Sequence, residues 1–180
     1  DADLAEGRYR RLPASIRRMA EAGELPGYRY LQACLDPGRF RNSLDPGDQF
    51  ARRAWSRTRD HLEILRELIE GRGGTLMLAV IPDASQVSSA ALEFNRELGF
   101  EVDDGWLTRP GRTAELLSEW AELSGVGLLD LRPVLLETDS ESFFVQDGHC
   151  TPEGHRAIAR AIGGWDRLRH ELGVSEGGRE

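Results

Sequence analysis

The amino-acid sequence predicts an α/β fold built around a parallel sheet. Two short apolar runs, at residues 75–81 and 126–131, have the uniform hydrophobicity of strands that helices cover on both faces. Segments with helical spacing of apolar residues precede and follow each run. This alternation of buried strands and helices is typical of a parallel sheet with right-handed crossovers. At 180 residues, the chain has the length of one domain.

The charge and the hydropathy pattern argue against two classes of partner. The formal net charge of −8 argues against nucleic-acid binding, because a basic surface supplies most of the affinity for phosphates. No apolar run approaches the roughly 20 residues that are needed to cross a bilayer. We therefore expect no nucleic-acid partner and no membrane span in this chain.

The first 47 residues lack a strong hydrophobic period. Proline and glycine interrupt them repeatedly, at Pro13, Pro26-Gly27, Pro37-Gly38 and Pro46-Gly47. Short helices are predicted over residues 8–21 and 26–35, and residues 1–47 as a whole are predicted to be irregular or lid-like. The predicted organisation continues with the main α/β portion at residues 48–172 and ends with a polar tail at residues 173–180.

The α/β portion begins with a long helix from Asp48 to Glu70, where the apolar side chains fall at helical spacing. A glycine-rich run at 71–74 ends this helix, since glycine readily adopts the left-handed conformation of a helix C-cap. The strand at 75–81 follows and is broken by Pro82-Asp83-Ala84. A second helix is predicted from Ser85 to Leu98.

The remaining elements repeat this order. A connection at 102–109 leads to a helix at 113–123 and then to the second strand at 126–131. A loop at 140–150 reaches a last helix, which is predicted to run from residue 152 to 170. The apolar side chains of this last helix lie on one face: Ala157, Ile158, Ala161, Ile162, Trp165 and Leu168.

The loop before the last helix carries the most informative pattern in the chain. Asp147 and His149 stand on either side of one glycine, directly before Thr151, the predicted N-cap of a helix that starts with Pro152. On a tight loop of this kind, both side chains can lie in one cleft. The carboxylate can accept the N–H of one ring nitrogen, which leaves the other nitrogen free to take a proton from a hydroxyl. The pattern therefore predicts His149 as a general base and Asp147 as its orienting partner.

Simpler roles for the same residues stay open at this stage. His149 can be a loop histidine at the start of the helix, and Asp147 is a common turn residue. Asp83, Ser85 and Gln86 follow the carboxyl end of a strand, where open α/β sheets bind ligands, so they are candidates for lining the substrate. The same three residues also suit a turn and a helix cap. A metal site formed by Asp147, His149 and His155 lacks the further ligands that it would require, so we expect no metal.

The run from Asp147 to His155 (Asp-Gly-His-Cys-Thr-Pro-Glu-Gly-His) resembles the closing motif of SGNH (GDSL-type) hydrolases. The strand that ends at Ile81-Pro82-Asp83 and the strand at 127–131 support the resemblance, which covers roughly residues 50–165. It implies a flavodoxin-like three-layer sandwich with a parallel sheet. It also implies Ser-His-Asp chemistry that hydrolyses or transfers an acyl group without a cofactor, on an acylated small molecule or a carbohydrate.

The family's Gly-Asp-Ser motif, and the Gly and Asn that complete its oxyanion hole, have no counterpart in this sequence. The resemblance therefore implies that the chain supplies only the C-terminal part of the domain. The serine would then belong to an N-terminal portion of the same protein or to a partner chain. The alternative is a catalytically inactive SGNH-like module that binds carbohydrate or another protein.

Overall fold

The fold comes from a computed structural model that describes residues 2–45, 47, 49–138 and 141–173. Two 3-10 helices, at Ala84–Gln86 and Asp104–Leu107, accompany the regular elements. The α-helices and strands of the described residues are α1 (Ala2–Tyr9), α2 (Ala14–Glu21), α3 (Gly27–Leu35), α4 (Arg39–Leu44), α5 (Gln49–Glu70), β1 (Met77–Val80), α6 (Ser89–Glu97), α7 (Arg112–Ser124), β2 (Gly127–Asp130), α8 (Arg132–Leu136), α9 (Pro152–Gly163) and α10 (Asp166–Glu171).

The two strands form a parallel pair, as the alternation of strands and helices predicts. Met77 lies opposite Gly127, and Val80 lies opposite Asp130, so the carboxyl ends of β1 and β2 meet at one edge. Helices α6 and α7 connect the strands. The predicted α/β fold with a parallel sheet is confirmed, although both strands are shorter than the apolar runs that predict them.

The strands are less covered than their composition predicts. Most side chains of β1 and β2 are half-buried, and Ala79 is exposed. Beside the strands, a buried cluster forms from Leu76, Trp120, Ala121 and Val126. Within the described residues this parallel pair has two open edges, and part of its apolar surface stays in contact with solvent, because strands are fully covered only inside a larger sheet.

Four short helices, α1 to α4, occupy the segment that is predicted to be irregular. The predicted helix at 8–21 is wrong as one element, because Pro13 separates α1 from α2. The prediction at 26–35 is confirmed, with Pro26 directly before α3. These helices do not stand apart from the rest of the chain. Their apolar side chains join one buried cluster with residues from α6 onward: Ile16, Ala33, Phe40, Leu92, Leu98, Phe100 and Trp106.

The helices of the α/β portion follow the local signals closely. Helix α5 matches the predicted 48–70 within one residue. The predicted helix at 85–98 begins with the separate 3-10 helix, after which the Ser88 hydroxyl accepts the backbone N–H of Ala91 at 3.2 Å and caps α6. Helix α7 ends at Gly125, whose φ of 70° is the left-handed conformation that a glycine C-cap adopts.

Two features after β2 differ from the prediction. The short helix α8 has no helical period long enough to be seen in the sequence. The predicted helix at 152–170 is wrong as one element, since α9 ends at Gly163 and α10 begins after Trp165. The pair Gly163-Gly164 explains the break, because glycine is a poor residue for a helix interior. The tail predicted at 173–180 lies, apart from residue 173, outside the described residues, among which no helix is long and apolar enough to cross a membrane.

Candidate active site

The loop between α8 and α9 is closed by its own backbone. Phe143 and Cys150 pair in an antiparallel bridge. The N–H of Phe144 donates to the carbonyl of His149 at 2.8 Å, and the N–H of Gly148 donates to the carbonyl of Phe144, also at 2.8 Å. Gly148 has a φ of 74°, which glycine adopts without steric cost. The result is a tight loop with Asp147 and His149 near its tip.

The base of the loop is anchored to the first turn of α9. The Thr151 hydroxyl accepts the N–H of Gly154 at 3.1 Å and donates to the carbonyl of Glu141 at 2.7 Å, while the Thr151 N–H donates to the carbonyl of Ser142 at 3.0 Å. A Cβ on Gly154 would come closer than 3.0 Å to that Ser142 carbonyl oxygen, so only glycine fits there. The Thr-Pro-x-Gly part of the motif thus anchors the loop to the rigid helix α9. Such an attachment suits a functional loop, because it holds the side chains of the loop in place.

Asp147 and His149 lie against each other at the tip. Oδ1 of Asp147 is 3.3 Å from Nδ1 of His149, slightly longer than a usual N–H···O hydrogen bond. The same oxygen accepts the backbone N–H of His149 at 2.8 Å. The His149 side chain is 74% exposed and the Asp147 side chain 34% exposed. The Asp147 carboxylate therefore makes both a turn hydrogen bond and a side-chain contact with His149. Hydrogen bonds between catalytic side chains are often longer than usual before substrate binds.

This geometry leaves one ring nitrogen available. With the proton of a neutral ring on Nδ1, beside the carboxylate, Nε2 carries the lone pair. Among the described residues, Nε2 accepts no hydrogen bond, and no serine hydroxyl contacts the ring. The exposed ring can thus take a proton from an incoming hydroxyl, as a general base must.

Asp83, Ser85 and Gln86 form the turn that follows β1. The N–H of Ser85 donates to Oδ1 of Asp83 at 2.9 Å, and the N–H of Asp83 donates to Oε1 of Gln86 at 3.0 Å, which makes a reciprocal cap. Ser85 is fully buried, and its hydroxyl accepts an N–H from the side chain of Asn95 at 2.7 Å. These contacts show the turn and cap; a role for the three residues in lining the substrate stays a prediction.

A small cavity of about 140 Å³ lies at the carboxyl ends of both strands. Asp83 and Gln86 line it on the side of β1, and Asp130 and Arg132 line it on the side of β2. Oδ1 of Asp130 accepts the backbone N–H of Arg132 at 2.9 Å. Open α/β sheets bind ligands at this position, outside the carboxyl ends of the strands. Of the three predicted substrate-lining residues, Asp83 is half-buried, whereas Ser85 and Gln86 are buried.

Sequence reasoning missed a buried charged side chain that is linked to the turn after β1 through Asn95. Arg29, on α3, is 7% exposed and donates to Oδ1 of Asn95 at 2.5 Å. Burial lowers the pKa of the Arg29 guanidinium, and the charges of Asp83 and Asp147 act in the opposite direction. An arginine in a short helix is ordinarily a solvated residue, so nothing in the local sequence marks this one.

The neighbouring cysteine offers no competing chemistry. Cys150 is a free thiol, and burial raises its pKa, so it does not have the character of an activated thiolate. In the part of the chain that the structure describes, no group of three or more His, Cys, Asp or Glu side chains is arranged to hold a metal ion. The loop presents Asp147 and His149 in contact, and a catalytic role for these two residues stays a prediction.

Comparison with known proteins agrees with the fold. A family model described as "SGNH hydrolase-like domain, acetyltransferase AlgX" matches residues 40–177. The matched span includes both strands and the loop with Asp147 and His149, and it excludes α1 to α3. No curated protein and no solved structure matches the chain.

Proposed function

Because the chain belongs to the family of SGNH hydrolase-like domains of the AlgX acetyltransferase type, we propose that it supplies the histidine and aspartate of a Ser-His-Asp acyl-transfer site. The family points to chemistry of the acetyltransferase or esterase type. Our proposal is finer: His149 is the general base and Asp147 is its partner. The reaction is either hydrolysis of a carboxylic ester or transfer of its acyl group to another hydroxyl.

The contact between Asp147 and His149 carries this proposal. The carboxylate lies 3.3 Å from Nδ1, the ring is exposed, and the loop is seated on the N-terminus of α9. In the proposed reaction, Nε2 takes the proton of a serine hydroxyl as that oxygen attacks the acyl carbonyl, and then gives the proton to the leaving alcohol. Asp147 holds the ring and stabilises the imidazolium between these two steps.

The proposed serine comes from polypeptide outside residues 1–180, either in the same protein or in a partner chain. The sequence has no Gly-Asp-Ser motif, and no described serine contacts the His149 ring. The half-buried strands β1 and β2, with their open edges, leave room for further strands to pack beside them. The expected substrate is an acylated small molecule or a carbohydrate, and the proposed steps need no cofactor.

Labelling with a fluorophosphonate tests the proposal, because this probe reacts with an activated serine whatever the natural substrate is. The natural protein that contains residues 1–180, with any chain that co-purifies, is treated with the probe. We expect one labelled serine, and we expect His149→Ala to abolish the labelling. The matched control is His170→Ala, which changes an exposed histidine on α10.

The missing Gly-Asp-Ser motif also favours a second candidate, an inactive SGNH-like module that binds carbohydrate or another protein. The same experiment separates the two candidates. A protein that folds cooperatively but takes up no label in wild type contradicts the enzyme. Labelling that persists in His149→Ala would mean that another residue is the base.

A further inference from the structure

Helix α5 is the longest helix of the described residues, and little of it is covered by the rest of the chain. Over residues 52–70, no side chain is buried, five are half-buried, and the others are exposed. Three of the half-buried side chains, Trp55, Leu62 and Ile69, pack against the buried cluster beside the strands. A helix in a protein is stabilised mainly by packing of an apolar face. One narrow face of α5 therefore contacts the core of its own chain, and the other faces are open.

A second group of apolar side chains lies on the open side of α5. Ile64 is 54% exposed, Leu65 43% and Leu68 55%. Residues that are one and four positions apart share a face, so these three side chains form one patch. Successive residues of a helix are turned by about 100°, which directs this patch away from the face that packs on the core. An apolar patch with charged neighbours is typical of a surface that binds another protein.

The patch continues toward the N-terminus of α5 as a stripe. Five exposed residues follow one another at alternating spacings of three and four positions: Ala54, Arg57, His61, Ile64 and Leu68. This spacing is that of the seam between two paired helices. We call this line of residues the α5 stripe. Its middle is polar, and a polar residue in such a seam fixes the register of the pair at some cost in affinity.

The charges of α5 are distributed unevenly along the helix. Residues 52–60 contain four arginines and one aspartate, whereas residues 61–70 contain three glutamates and one arginine. Within this helix, the first turn has no acidic residue and the last turn has no basic one. The distribution is opposite to the one that interacts favourably with the helix dipole. The stability of the single helix therefore does not explain it.

A second copy of the same helix does explain the distribution. Two α5 helices in antiparallel orientation place the basic half of each beside the acidic half of the other. A parallel pair would bring like charges together, which is unfavourable. An antiparallel pair of identical helices also has the two-fold symmetry that most protein dimers adopt.

We propose that the α5 stripe is the interface of an antiparallel homodimer, in which α5 of one copy packs against α5 of a second copy. The inference does not depend on the role of His149. The 22 residues of α5 are about 33 Å long, so one helix pair gives an interface at the low end of the usual size range. We therefore expect a dimer that dissociates on dilution.

Full overlap of the two helices specifies one pair of charges. Glu67 of one copy then lies beside Arg53 of the other, and symmetry makes this contact twice. Within one helix these two residues are fourteen positions apart, about 21 Å, so they cannot touch in a single copy. Arg66 pairs with Glu63 and Glu70, whereas Arg53 and Glu67 form no ion pair among the described residues.

The experiment is sedimentation velocity of the natural protein that contains residues 1–180, over a range of concentrations. We expect wild type to show a monomer–dimer equilibrium. Arg53→Glu and Glu67→Arg each place like charges at two contacts, and each should raise the dimer Kd roughly ten-fold or more. The double variant Arg53→Glu with Glu67→Arg restores opposite charges and should recover most of the wild-type affinity. Such recovery requires contact between two copies.

The apolar part of the stripe has its own variant. Leu68→Gln removes an apolar side chain from both copies and should raise the Kd roughly ten-fold or more. The matched control is Leu31→Gln, which changes a leucine of α3 that is 47% exposed and should leave the Kd unchanged. Circular dichroism checks that each variant keeps its helix content. If Leu68→Gln does not fold, the three charge variants still decide the question.

Four results would overturn the inference. Wild type that stays monomeric at every concentration has no such interface, because α5 is then open or is covered by the rest of the same protein. A dimer that all the α5 variants leave unchanged uses another surface. A complex with a different chain that depends on Leu68 means that the occupant is not a second copy. A double charge variant as weak as the single ones excludes the antiparallel contact. None of these results depends on probe labelling, so failure of the proposed function is recognised separately.

Discussion

A single carboxylate oxygen of Asp147 contacts both the backbone and the ring of His149. Oδ1 accepts the backbone N–H of His149 at 2.8 Å and also lies 3.3 Å from Nδ1 of its ring. The first contact shapes the turn, and the second faces the ring with a negative charge. Because one atom makes both contacts, the two readings of this loop, as a turn and as a catalytic pair, are compatible in one geometry.

This relationship leads to a kinetic prediction for the complete enzyme. His149→Ala should lower kcat by several orders of magnitude, roughly 10⁴- to 10⁶-fold, because a base and its serine act as a unit. Asp147→Asn should cost less, roughly 10²- to 10⁴-fold, because a misoriented ring keeps some basicity. Hydrolysis of an acetyl ester, followed at saturating substrate, measures both. A kcat for His149→Ala near that of wild type would show that the base lies elsewhere.

The close contact between the loop and the first turn of α9 leads to a prediction for stability. Gly154→Ala would place a Cβ against the Ser142 carbonyl oxygen, and since both atoms belong to packed backbone, the variant should lose about 1–3 kcal/mol of unfolding free energy. Gly163→Ala is the matched control on the same helix. A Cβ there meets open space, so this substitution should be neutral or stabilise by about 0.5–1 kcal/mol. Denaturant unfolding of the two variants measures the contrast, and equal effects would contradict the close approach.

The N-terminal helices should be part of one cooperative unit. Ile16 is fully buried in the cluster that also contains Trp106, so Ile16→Ala should lower the unfolding free energy by about 2–5 kcal/mol. Leu31, on α3, is 47% exposed, and Leu31→Ala should cost well under about 1 kcal/mol. Unfolding followed by tryptophan fluorescence should give a single transition in each variant. A separate early transition in Ile16→Ala would mean that the helices unfold independently as a lid.

The ion pair between Asp45 and Arg109 should make stability depend on pH. The side-chain hydrogen bond from Arg109, at 2.8 Å, lowers the pKa of Asp45 below its ordinary value. A carboxyl whose pKa is lower in the folded state stabilises the fold above the unfolded pKa, and that contribution is lost as the pH falls through the folded pKa. Asp45→Asn should therefore lower the unfolding free energy by about 1 kcal/mol at pH 7, with a smaller difference from wild type as the pH falls below about 4.

Unfolding at pH 7 and at pH 3 provides the comparison for Asp45. Asp60→Asn is the control, because Asp60 pairs with its exposed neighbour Arg59 on α5, at 3.2 Å. An exposed pair of this kind should contribute little at either pH. A difference between wild type and Asp45→Asn that grows as the pH falls has the wrong sign and would exclude the stabilising pair.

Elements with strong local signals were predictable from the sequence. The 22 residues of α5 repeat the helical period several times, and Thr151-Pro152 marks the start of α9 by a side-chain cap and a residue without an N–H. The proximity of Asp147 and His149 also follows from local spacing, since one glycine separates them on a tight loop. In each case, the residues that decide the structure are neighbours in the chain.

Hydrophobic period, caps and breakers act within a few residues, so the α/β class, the order of most elements and the loop with its aspartate and histidine could be predicted before any coordinates. The remaining features depend on contacts between residues that are far apart in the chain. Arg29 meets Asn95 across 66 positions of sequence, and Phe40 meets Phe100 across 60, so no local pattern shows that a charged residue of a short helix is buried. Burial depends on which distant side chains exclude water, and this is settled only when the whole core packs.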